Sequence, residues 1–329
     1  MSDFLYANDQ QGSYPASWYA QSIPEHPARP ELTDVISCDV CIIGAGFTGL
    51  SCALHLAQKG YHVIVLDAHR VGFGASGRNG GQVGSGYNQS QQTLEKTLGH
   101  DAAHQLWDMA QAAKSLTQDL AARHAPEAGY QPGVAEADFN AKDRASSHAK
   151  ADYLTRHYAY EKIDCLNQTD IANLIKSPRY AGGLIDWGAG HLHPLRYALG
   201  LAMAAETAGA RIFENSAAIS VQDGPPSLVQ TAKGQLRASY VVHATNGYHS
   251  SLNPRQAAKV MPINNFLVAT EPLDRPQEVL SKPIAVADNR FVLNYYRLSH
   301  DNRLIFGGGV VYGARDPAHV ESIIAPKMV

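Results

Sequence analysis

Three glycines and one acidic residue have the spacing of a phosphate-binding site. Gly44, Gly46 and Gly49 form a G-x-G-x-x-G pattern, and Asp67 follows eighteen positions after the last glycine (67 − 49 = 18). In this pattern the glycines allow a tight turn, the approach of a pyrophosphate to the backbone, and close packing of a helix on a strand. The carboxylate accepts hydrogen bonds from ribose hydroxyls and disfavours a 2′-phosphate. The spacing predicts a site for a dinucleotide such as FAD or NAD. The other residues of this loop are Ala45, Phe47 and Thr48.

The elements that position this loop are predicted from the residues on either side of it. Residues 39–43 are an apolar, β-branched run, which indicates a buried strand. Residues 50–59 are rich in Ala and Leu and end before Gly60, which is typical of a helix and its stop signal. Residues 61–66 predict a second buried strand that ends just before Asp67. Together they form a βαβ unit, which makes the glycine pattern specific.

A second glycine-rich loop decides between FAD and NAD. It follows Asp67 closely, so it leaves the sheet at the carboxyl ends of the strands, where open α/β sheets bind ligands. Glycine backbones there offer unhindered N–H groups, and an arginine adds positive charge. Such a loop suits a long ligand whose phosphates and planar ring continue past the first site, which favours FAD. The candidate residues of this loop are Ser76, Gly77, Arg78, Asn79, Gly80, Gly81 and Gln82.

The rest of the chain alternates between helical and strand patterns. Residues 93–125 predict two helices divided at Gly99, with Leu98 and Met109 among the residues of the apolar face. His193-Pro194 opens another helix, because proline is tolerated at the first helical position. Further predicted elements are a hairpin of residues 227–232 and 235–243, and paired strands at residues 291–296 and 303–306.

Composition excludes several classes of function. The chain has 329 residues, 45% of them hydrophobic, and a formal net charge of −3, so we expect a globular protein without affinity for nucleic acid. No stretch approaches the roughly 20 apolar residues of a membrane span. The N-terminus lacks the apolar core of a signal peptide, so we expect a cytoplasmic protein.

Two short motifs invite other chemistry. Cys38 and Cys41 form a C-x-x-C, but they begin an apolar strand rather than a helix, so we interpret them as small buried hydrophobes. His191 and His193 form an H-x-H without a third ligand at suggestive spacing, so we expect no metal site.

The chain resembles the D-amino-acid-oxidase-type superfamily of FAD-dependent oxidoreductases, and most closely its bacterial branch of gamma-glutamylputrescine oxidase-like proteins. The first motif is shared by many flavoproteins, whereas the later ones are more specific. The segments that carry the resemblance are GAGFTGL (44–50), Asp67, GASGRNGGQ (74–82), HLHPLRYALGLAMAAETAGARI (191–212), ATNGY (244–248) and NYYRLSHDNRLIFGGG (294–309).

The resemblance implies an α/β fold, α+β overall: a Rossmann-like FAD-binding domain with an inserted substrate domain of mixed β-sheet and helices. It implies a discontinuous FAD-binding domain at residues 33–91 and 191–258 and a substrate domain at 92–190 and 259–316. Residues 1–32 would be an N-terminal arm and 317–329 the start of a C-terminal helix. Val221 would offer its backbone to the adenine end of FAD, and Ala244, Thr245 and Gly247 would pass close to the dinucleotide.

The resemblance also implies the reaction. Members of this family oxidise a C–N bond of a primary or secondary amine or amino acid by hydride transfer to flavin, which oxygen or another acceptor reoxidises. A small-molecule amine or amino acid is the expected partner. Tyr295, Tyr296 and Arg297 are the candidate substrate residues, with Tyr295 and Arg297 on one face of a strand. An arginine there could bind a carboxylate through two hydrogen bonds, or could simply pair with a nearby acid.

Relatives in this family continue past the point where this sequence stops, so we expect the family's C-terminal part to be missing. Two alternatives therefore stay open at the level of sequence. One is a truncated, catalytically inactive flavin-binding protein, and the other is an NAD-dependent dehydrogenase.

Overall fold

The structure, a computed structural model, describes residues 5–248, 252–261, 263–312 and 319–328. The strands in this part are β1 (Val35–Ile43), β2 (Val63–Leu66), β3 (Gln82–Val83), β4 (Gln131–Asp138), β5 (Ile163–Leu166), β6 (Gly182–His191), β7 (Arg211–Phe213), β8 (Ser220–Gln222), β9 (Ser227–Gln230), β10 (Gln235–His243), β11 (Asn264–Ala269), β12 (Ala285–Asp288), β13 (Tyr295–Leu298) and β14 (Leu304–Val311). The α-helices are α1 (Trp18–Gln21), α2 (Phe47–Gln58), α3 (Gln91–Leu98), α4 (His100–His124), α5 (Ala141–Tyr158), α6 (Gln168–Leu174), α7 (Pro194–Thr207), α8 (Pro254–Ala257) and α9 (Val320–Ile324).

The chain divides into two compact units. The first contains Met1–Asn79, Pro194–Asn264 and Val311–Ala318, and the second contains Gly80–His193, Asn265–Val310 and His319–Val329. The first segment of the first unit therefore ends at Asn79, within the second glycine-rich loop. The resemblance implied instead that the first segment of the FAD-binding domain continues to residue 91. Parts of the predicted N-terminal arm and C-terminal helix, residues 1–4, 317, 318 and 329, lie outside the described residues.

The first unit is built on a sheet of order β7-β2-β1-β10-β9-β8. Strands β7, β2, β1 and β10 run parallel, and β9 and β8 continue the sheet antiparallel. Strand β2 is buried along its whole length, as expected for a parallel strand covered on both faces. Helices α2 and α7 pack against each other, and Phe47 of α2 lies with its ring centroid 5.3 Å from that of Tyr197.

The predicted βαβ unit is present with small shifts at its ends. Helix α2 begins at Phe47, inside the glycine pattern, because Gly46 serves as its N-cap. Strand β1 begins at Val35, earlier than predicted. The predicted hairpin is also confirmed, since β9 and β10 pair antiparallel with Gln230 opposite Gln235.

A fully buried carboxylate ties the N-terminal segment to the first sheet. Glu214 follows β7 and is 0% exposed. It accepts hydrogen bonds from the backbone N–H groups of Arg29 and Val71, both at 2.9 Å, and its Oε2 lies 2.7 Å from Nε of Arg70. Arg29 also binds both carboxylate oxygens of Glu206. A buried charge needs such partners, because an isolated carboxylate is strongly disfavoured away from water.

The second unit contains a mixed sheet of order β11-β14-β13-β12-β4-β6-β3, with β5 paired to β6. Strands β12 and β4 are parallel, whereas β12–β13, β13–β14 and β4–β6 are antiparallel. Helices α5 and α6 pack against β6. The mixed sheet with helices agrees with the fold class expected from the sequence.

Two details of the sequence prediction were wrong in this unit. Gly99 does separate two helices, but Met109 of α4 is 63% exposed, and the buried residues of the helix include Ala103, Trp107 and Lys114. The buried face contains a lysine because its Nζ donates hydrogen bonds to Ser85 Oγ and Tyr160 Oη, at 2.8 and 3.0 Å. Hydrophobic periodicity cannot detect such a face.

The other error concerns the start of strand β13. Residues 291–296 were predicted as a strand, but β13 begins at Tyr295, and Phe291 is 100% exposed. A turn joins β13 to β14, in which Ser299 N donates to Arg303 O and Asn302 adopts a positive φ of 61°.

We predict that Glu214→Gln lowers the free energy of unfolding by about 3–5 kcal/mol, because it leaves two arginines beside a neutral group in a buried site. Urea denaturation followed by circular dichroism measures this change. Asp152→Asn is the matched control, because Asp152 pairs with Arg156 at 2.7 Å in the exposed part of α5. Exposed pairs contribute roughly 0–1 kcal/mol, so the control should change little. Equal effects of the two substitutions would contradict the anchoring role of Glu214.

Candidate functional site

The carboxyl ends of the parallel strands of the first unit lie side by side. Ile43 is opposite Leu66 on β2 and opposite His243 on β10, and Leu66 is opposite Phe213 on β7. The residues that follow these strands therefore meet at one edge of the sheet. They include Gly44, Asp67 and Ala244, three of the residues singled out in the sequence.

The glycines of the first motif are required by close contacts. Gly44 has a φ of +111°, and a Cβ there would lie 2.5 Å from the carbonyl oxygen of Ala244. A Cβ at Gly49 would lie 1.9 Å from the carbonyl oxygen of Gly44, so the helix can approach the strand only without a side chain. A Cβ at Gly46 would lie 2.8 Å from Ser76 Oγ. Gly44 and Gly49 thus fit the turn and packing roles that the motif predicts.

Asp67 fixes the backbone of the phosphate loop. Its Oδ2 accepts a hydrogen bond from Ala45 N at 2.7 Å, and its Oδ1 accepts one from His69 N at 2.8 Å. Burial, together with the smaller effect of nearby Glu214, raises the pKa of Asp67 to about 6, against the lowering effect of the hydrogen bonds from the Ala45 and His69 N–H groups. Each carboxylate oxygen has a second lone pair, so the group can still accept a hydroxyl hydrogen bond.

Ser76 meets the beginning of helix α2. The first N–H groups of a helix lack partners within the helix and carry the positive end of its dipole, which attracts phosphate. Here Phe47 N donates a hydrogen bond of 3.0 Å to Ser76 Oγ. The serine hydroxyl therefore lies where an anionic oxygen would be bound. This contact between the two glycine loops was not foreseen from the sequence.

These residues line one cleft in the first unit, with about 810 Å³ of space that includes openings to solvent. Of the predicted cofactor residues, those that line the cleft are Gly44, Ala45, Gly46, Asp67, Ser76, Ala244 and Thr245. Lining residues that the sequence reasoning missed include Ala217, Ala218, Gly72, Phe73 and Tyr248. The two consecutive alanines at 217 and 218 could have indicated a ligand-binding wall, because a wall that a ligand approaches closely needs short side chains.

Several other predicted cofactor residues support the cleft without lining it. Phe47, Thr48 and Gly49 form the first turn of α2. A Cβ at Gly77 would lie 2.1 Å from the carbonyl oxygen of Gly72, so this glycine packs against the loop before it. The side chain of Asn79 donates hydrogen bonds to Ala75 O and Ser76 O, which holds the loop around Ser76 in shape.

Arg78 does not line the cleft, and its charge is paired. Its Nη1 lies 3.0 Å from Asp9 Oδ2, its Nε donates to Phe73 O, and its guanidinium lies 4.6 Å from the centre of the Phe73 ring. In this structure the guanidinium holds Phe73 and the N-terminal segment, and the phosphate-binding role that the sequence suggested for it stays a prediction. Asp9 lies 69 residues away in sequence, so spacing could not indicate this pair.

Val221 and Gly247 also lie outside the lining of the cleft. Val221 is on β8, paired with Val229, and packs on the hydrophobic cluster of the sheet. Ala217 and Ala218, a few residues earlier, provide the backbone at that wall. Gly247 belongs to the turn after β10, in which Tyr248 N donates to Thr245 O.

Gly80, Gly81 and Gln82 belong to the second unit. A Cβ at Gly80 would lie 2.8 Å from the ring of Tyr295, and the carbonyl oxygen of Gly80 accepts a 2.9 Å hydrogen bond from Arg297 Nε. Gly81 has a φ of 74°, and Gln82 pairs with His191 across β3 and β6. Two of the candidate substrate residues thus contact this loop.

The three candidate substrate residues lie on β13 as the alternation predicts. Tyr295 and Arg297 both reach Gly80, whereas the ring of Tyr296 stacks on that of Phe306 at 5.4 Å. Arg297 is 5% exposed. Close by, burial and the charge of Arg297 lower the pKa of His191 to about 4, so this imidazole is neutral at pH 7.

The two short motifs behave as buried structural groups. Cys38 and Cys41 are both free and buried, and burial raises the pKa of both thiols, that of Cys38 to about 11. They therefore act as small hydrophobes. No group of three or more His, Cys, Asp or Glu side chains that could hold a metal ion occurs among the described residues. Within that same part of the chain, none of the helices combines the length and apolar character that crossing a membrane requires.

The polar groups of the cleft fit the pyrophosphate and ribose of a dinucleotide. Glycine backbones, the first turn of α2 and a buried carboxylate converge at the carboxyl edge of a parallel sheet, where such sheets bind their ligands. At Gly46 a Cβ would meet only the side chain of Ser76, with its Oγ at 2.8 Å, so the loop backbone is otherwise uncovered on this side. The arrangement suits the adenosine and pyrophosphate of FAD.

Comparison with known proteins gives close relatives. The chain is 40% identical over 317 residues to gamma-glutamylputrescine oxidoreductase of Escherichia coli (strain K12), covering 95% of this chain and 74% of that protein. It is 37% identical over 309 residues to the probable oxidoreductase OrdL of Rhizobium meliloti (strain 1021), covering 94% of this chain and 72% of that protein.

Solved structures share the fold. Glycine oxidase from Geobacillus kaustophilus superposes with a TM-score of 0.65 at 20% identity, covering 84% of this chain and 72% of that one. L-amino acid deaminase from Proteus vulgaris superposes with a TM-score of 0.65 at 16% identity, covering 90% and 64%.

The model of the DAO family, described as FAD dependent oxidoreductase, matches residues 39–326, which include both glycine loops and β13. The chain therefore belongs to the DAO family of FAD-dependent oxidoreductases.

Proposed function

We propose that this enzyme oxidises a C–N bond of a small amine or amino acid of the gamma-glutamylputrescine type. The observation that carries the proposal is the 40% identity to gamma-glutamylputrescine oxidoreductase over 95% of the chain. FAD, when bound, supplies a ring that accepts hydride from the carbon beside the nitrogen and passes the electrons to oxygen or another acceptor. The cytoplasmic location expected from the sequence stays a prediction.

The first unit is the proposed FAD-binding domain. Backbone N–H groups at the start of α2 would bind the pyrophosphate, with Ser76 giving up its hydrogen bond from Phe47. Asp67 would accept hydrogen bonds from the ribose hydroxyls while it keeps the Ala45 N–H in place. Ala217, Ala218, Ala244 and Thr245 would leave room for the long axis of the cofactor.

The second unit is the proposed substrate domain. A gamma-glutamylated amine carries an α-carboxylate, and Arg297 is the proposed group that binds it. Its Nε already donates to Gly80 O, which fixes the plane of the guanidinium. Neutral His191 adds no competing positive charge beside it. Tyr295 shares this face, and its ring is held against Gly80 and Gly307.

Anaerobic addition of gamma-glutamylputrescine to the FAD-loaded protein tests the reaction. Loss of the flavin absorbance near 450 nm, and its recovery when oxygen or an artificial acceptor is admitted, is the expected result. A yellow protein that does not bleach with gamma-glutamylputrescine or with simple amines and amino acids would contradict the oxidation, while leaving FAD binding intact. A colourless protein that reduces NAD would contradict both.

Gly46→Val should reduce bound FAD at least about tenfold, since the side chain would occupy the space between the loop and Ser76 that the pyrophosphate needs. The measurement is the ratio of flavin to protein after purification. Gly224→Val is the matched control in the same unit, because a Cβ there meets only Pro226 O at 3.5 Å. Undiminished FAD in folded Gly46→Val protein would end the assignment of this cleft.

FAD affinity should depend on pH through Asp67. Its pKa is about 6, so it is ionised above that pH and protonated below it. Because the ionised form accepts ribose hydrogen bonds better, affinity should fall as pH drops below 6, by at most about tenfold per pH unit for one proton. Fluorescence titration of apoprotein with FAD between pH 5 and 8 measures this. Asp67→Asn should bind more weakly and lose the pH dependence; a retained pH dependence in that variant would exclude Asp67 as its source.

Arg297→Met should raise KM for gamma-glutamylputrescine at least about tenfold and leave kcat within about threefold, because a carboxylate contact is made equally in substrate and transition state. Steady-state kinetics with separate kcat and KM, and a melting curve for each variant, give the answer. Arg275→Met is the control, since Arg275 pairs with Glu278 on the surface of the same unit. Unchanged KM in the folded Arg297 variant would remove the clamp from the proposal.

A further inference from the structure

A second cavity lies wholly within the second unit. It has about 770 Å³ of space, including openings to solvent, and its lining includes Tyr296 but neither Tyr295 nor Arg297. We call it the aromatic pocket. Its aromatic lining residues are Phe139, Tyr180, Tyr296 and Phe306.

The aromatic rings are held in fixed positions. Tyr296 and Phe306 stack nearly parallel, with 7° between their planes. Phe139 and Tyr180 lie with centroids 5.0 Å apart, and the Tyr296 hydroxyl lies 3.3 Å from that of Tyr180. Tyr180 and Tyr296 are both buried. Such surfaces favour a planar, apolar ring as ligand.

Positive charge dominates the polar lining. The four cationic lining residues are Lys176, Arg179, Arg290 and Lys327. Glu278 is the acidic residue of the described lining, and it pairs with Arg275. Arg290 lies over the Phe139 ring at 4.5 Å, so it links the charge to the aromatic wall, with Asp288 3.7 Å away. This balance favours an anionic ligand.

One buried acceptor in the lining remains unsatisfied. Asn294 is 4% exposed, and its Nδ2 donates to Asp288 Oδ2 at 2.7 Å. Asn294 N also donates to Asp288 Oδ1 at 2.8 Å, so the same carboxylate holds both the backbone and the side-chain amide of Asn294. Asn294 Oδ1 has no hydrogen-bond partner among the described residues. A buried acceptor of this kind calls for a donor from a ligand or water.

We propose that the aromatic pocket binds a small aromatic carboxylate that carries a hydroxyl or amino group. The stacked rings contact the ligand ring, the cations bind the carboxylate, and Asn294 Oδ1 accepts the hydrogen bond from the ligand's donor. Binding here requires neither FAD nor turnover.

Calorimetric titration of the purified protein with 4-hydroxybenzoate tests the proposal. One molecule should bind per chain. 4-Methoxybenzoate lacks the donor and 4-hydroxybenzyl alcohol lacks the charge, so each should bind at least about fivefold more weakly. The visible spectrum of bound flavin should stay unchanged at saturation, which separates this pocket from a site beside the cofactor.

Arg179→Glu should weaken 4-hydroxybenzoate binding about tenfold, because it reverses a charge at the pocket. Arg179 is exposed, so the substitution does not threaten folding. Lys142→Glu is the matched control: it makes the same charge change at an exposed residue of α5 that does not line the pocket. Asn294→Ala should weaken 4-hydroxybenzoate about fivefold and leave 4-methoxybenzoate unaffected.

Three results would overturn the proposal. The first is no detectable binding of 4-hydroxybenzoate at roughly 10 mM, an affinity too weak for a formed site. The second is equal affinity in the wild type, Arg179→Glu and Lys142→Glu proteins. The third is a change in the flavin spectrum that follows the binding curve, which would place the ligand beside the cofactor.

Discussion

The backbone of Gly44 passes so close to that of Ala244 that no side chain fits between them. A Cβ at position 44 would lie 2.5 Å from the Ala244 carbonyl oxygen, and the φ of +111° strains any other residue. Gly49 in turn lies over the carbonyl of Gly44. These contacts bring the ends of β1 and β10 and the start of α2 together. The floor of the cleft is therefore backbone, and its position depends on residues that have no side chain.

Because the floor of the cleft is backbone, only a few side chains bring charge near it. Two of them are carboxylates that follow neighbouring strands of the sheet. Asp67 follows β2 and Glu214 follows β7, with Leu66 opposite Phe213. Two unneutralised carboxylates buried this close would oppose each other's ionisation. The structure resolves this by pairing Glu214 with Arg29 and Arg70, while Asp67 binds the N–H groups of Ala45 and His69. The charge of Asp67 is thereby kept for the cleft, although burial raises its pKa to about 6.

The parts of this site that are local in sequence could be predicted, and the parts that depend on distant contacts could not. The βαβ unit, the turn at Gly44 and the hairpin of β9 and β10 follow from residues within a short window. The pairing of Arg78 with Asp9 could not be predicted, because the two residues lie 69 positions apart in the sequence. The buried face of α4 was mistaken because the charge of Lys114 is satisfied by Ser85 and Tyr160, which only tertiary structure brings near. The parallel pairing of β4 with β12 joins residues 134 and 285, a separation that no local pattern reveals.

In the second unit, as in the first, glycines allow neighbouring groups to pack closely, and strand β13 shows this. Alternation sends Tyr296 to the aromatic pocket and Tyr295 to the opposite face, so consecutive residues serve different surfaces. The Tyr295 ring fits there because Gly80 and Gly307 lack side chains: a Cβ would approach it to 2.8 Å and 2.2 Å. Gly80 of the second loop and Gly307 of β14 are thus explained by close packing around the Tyr295 ring. Glycine is therefore tightly specified at these two positions, because a neighbouring group already occupies the space that a side chain would take.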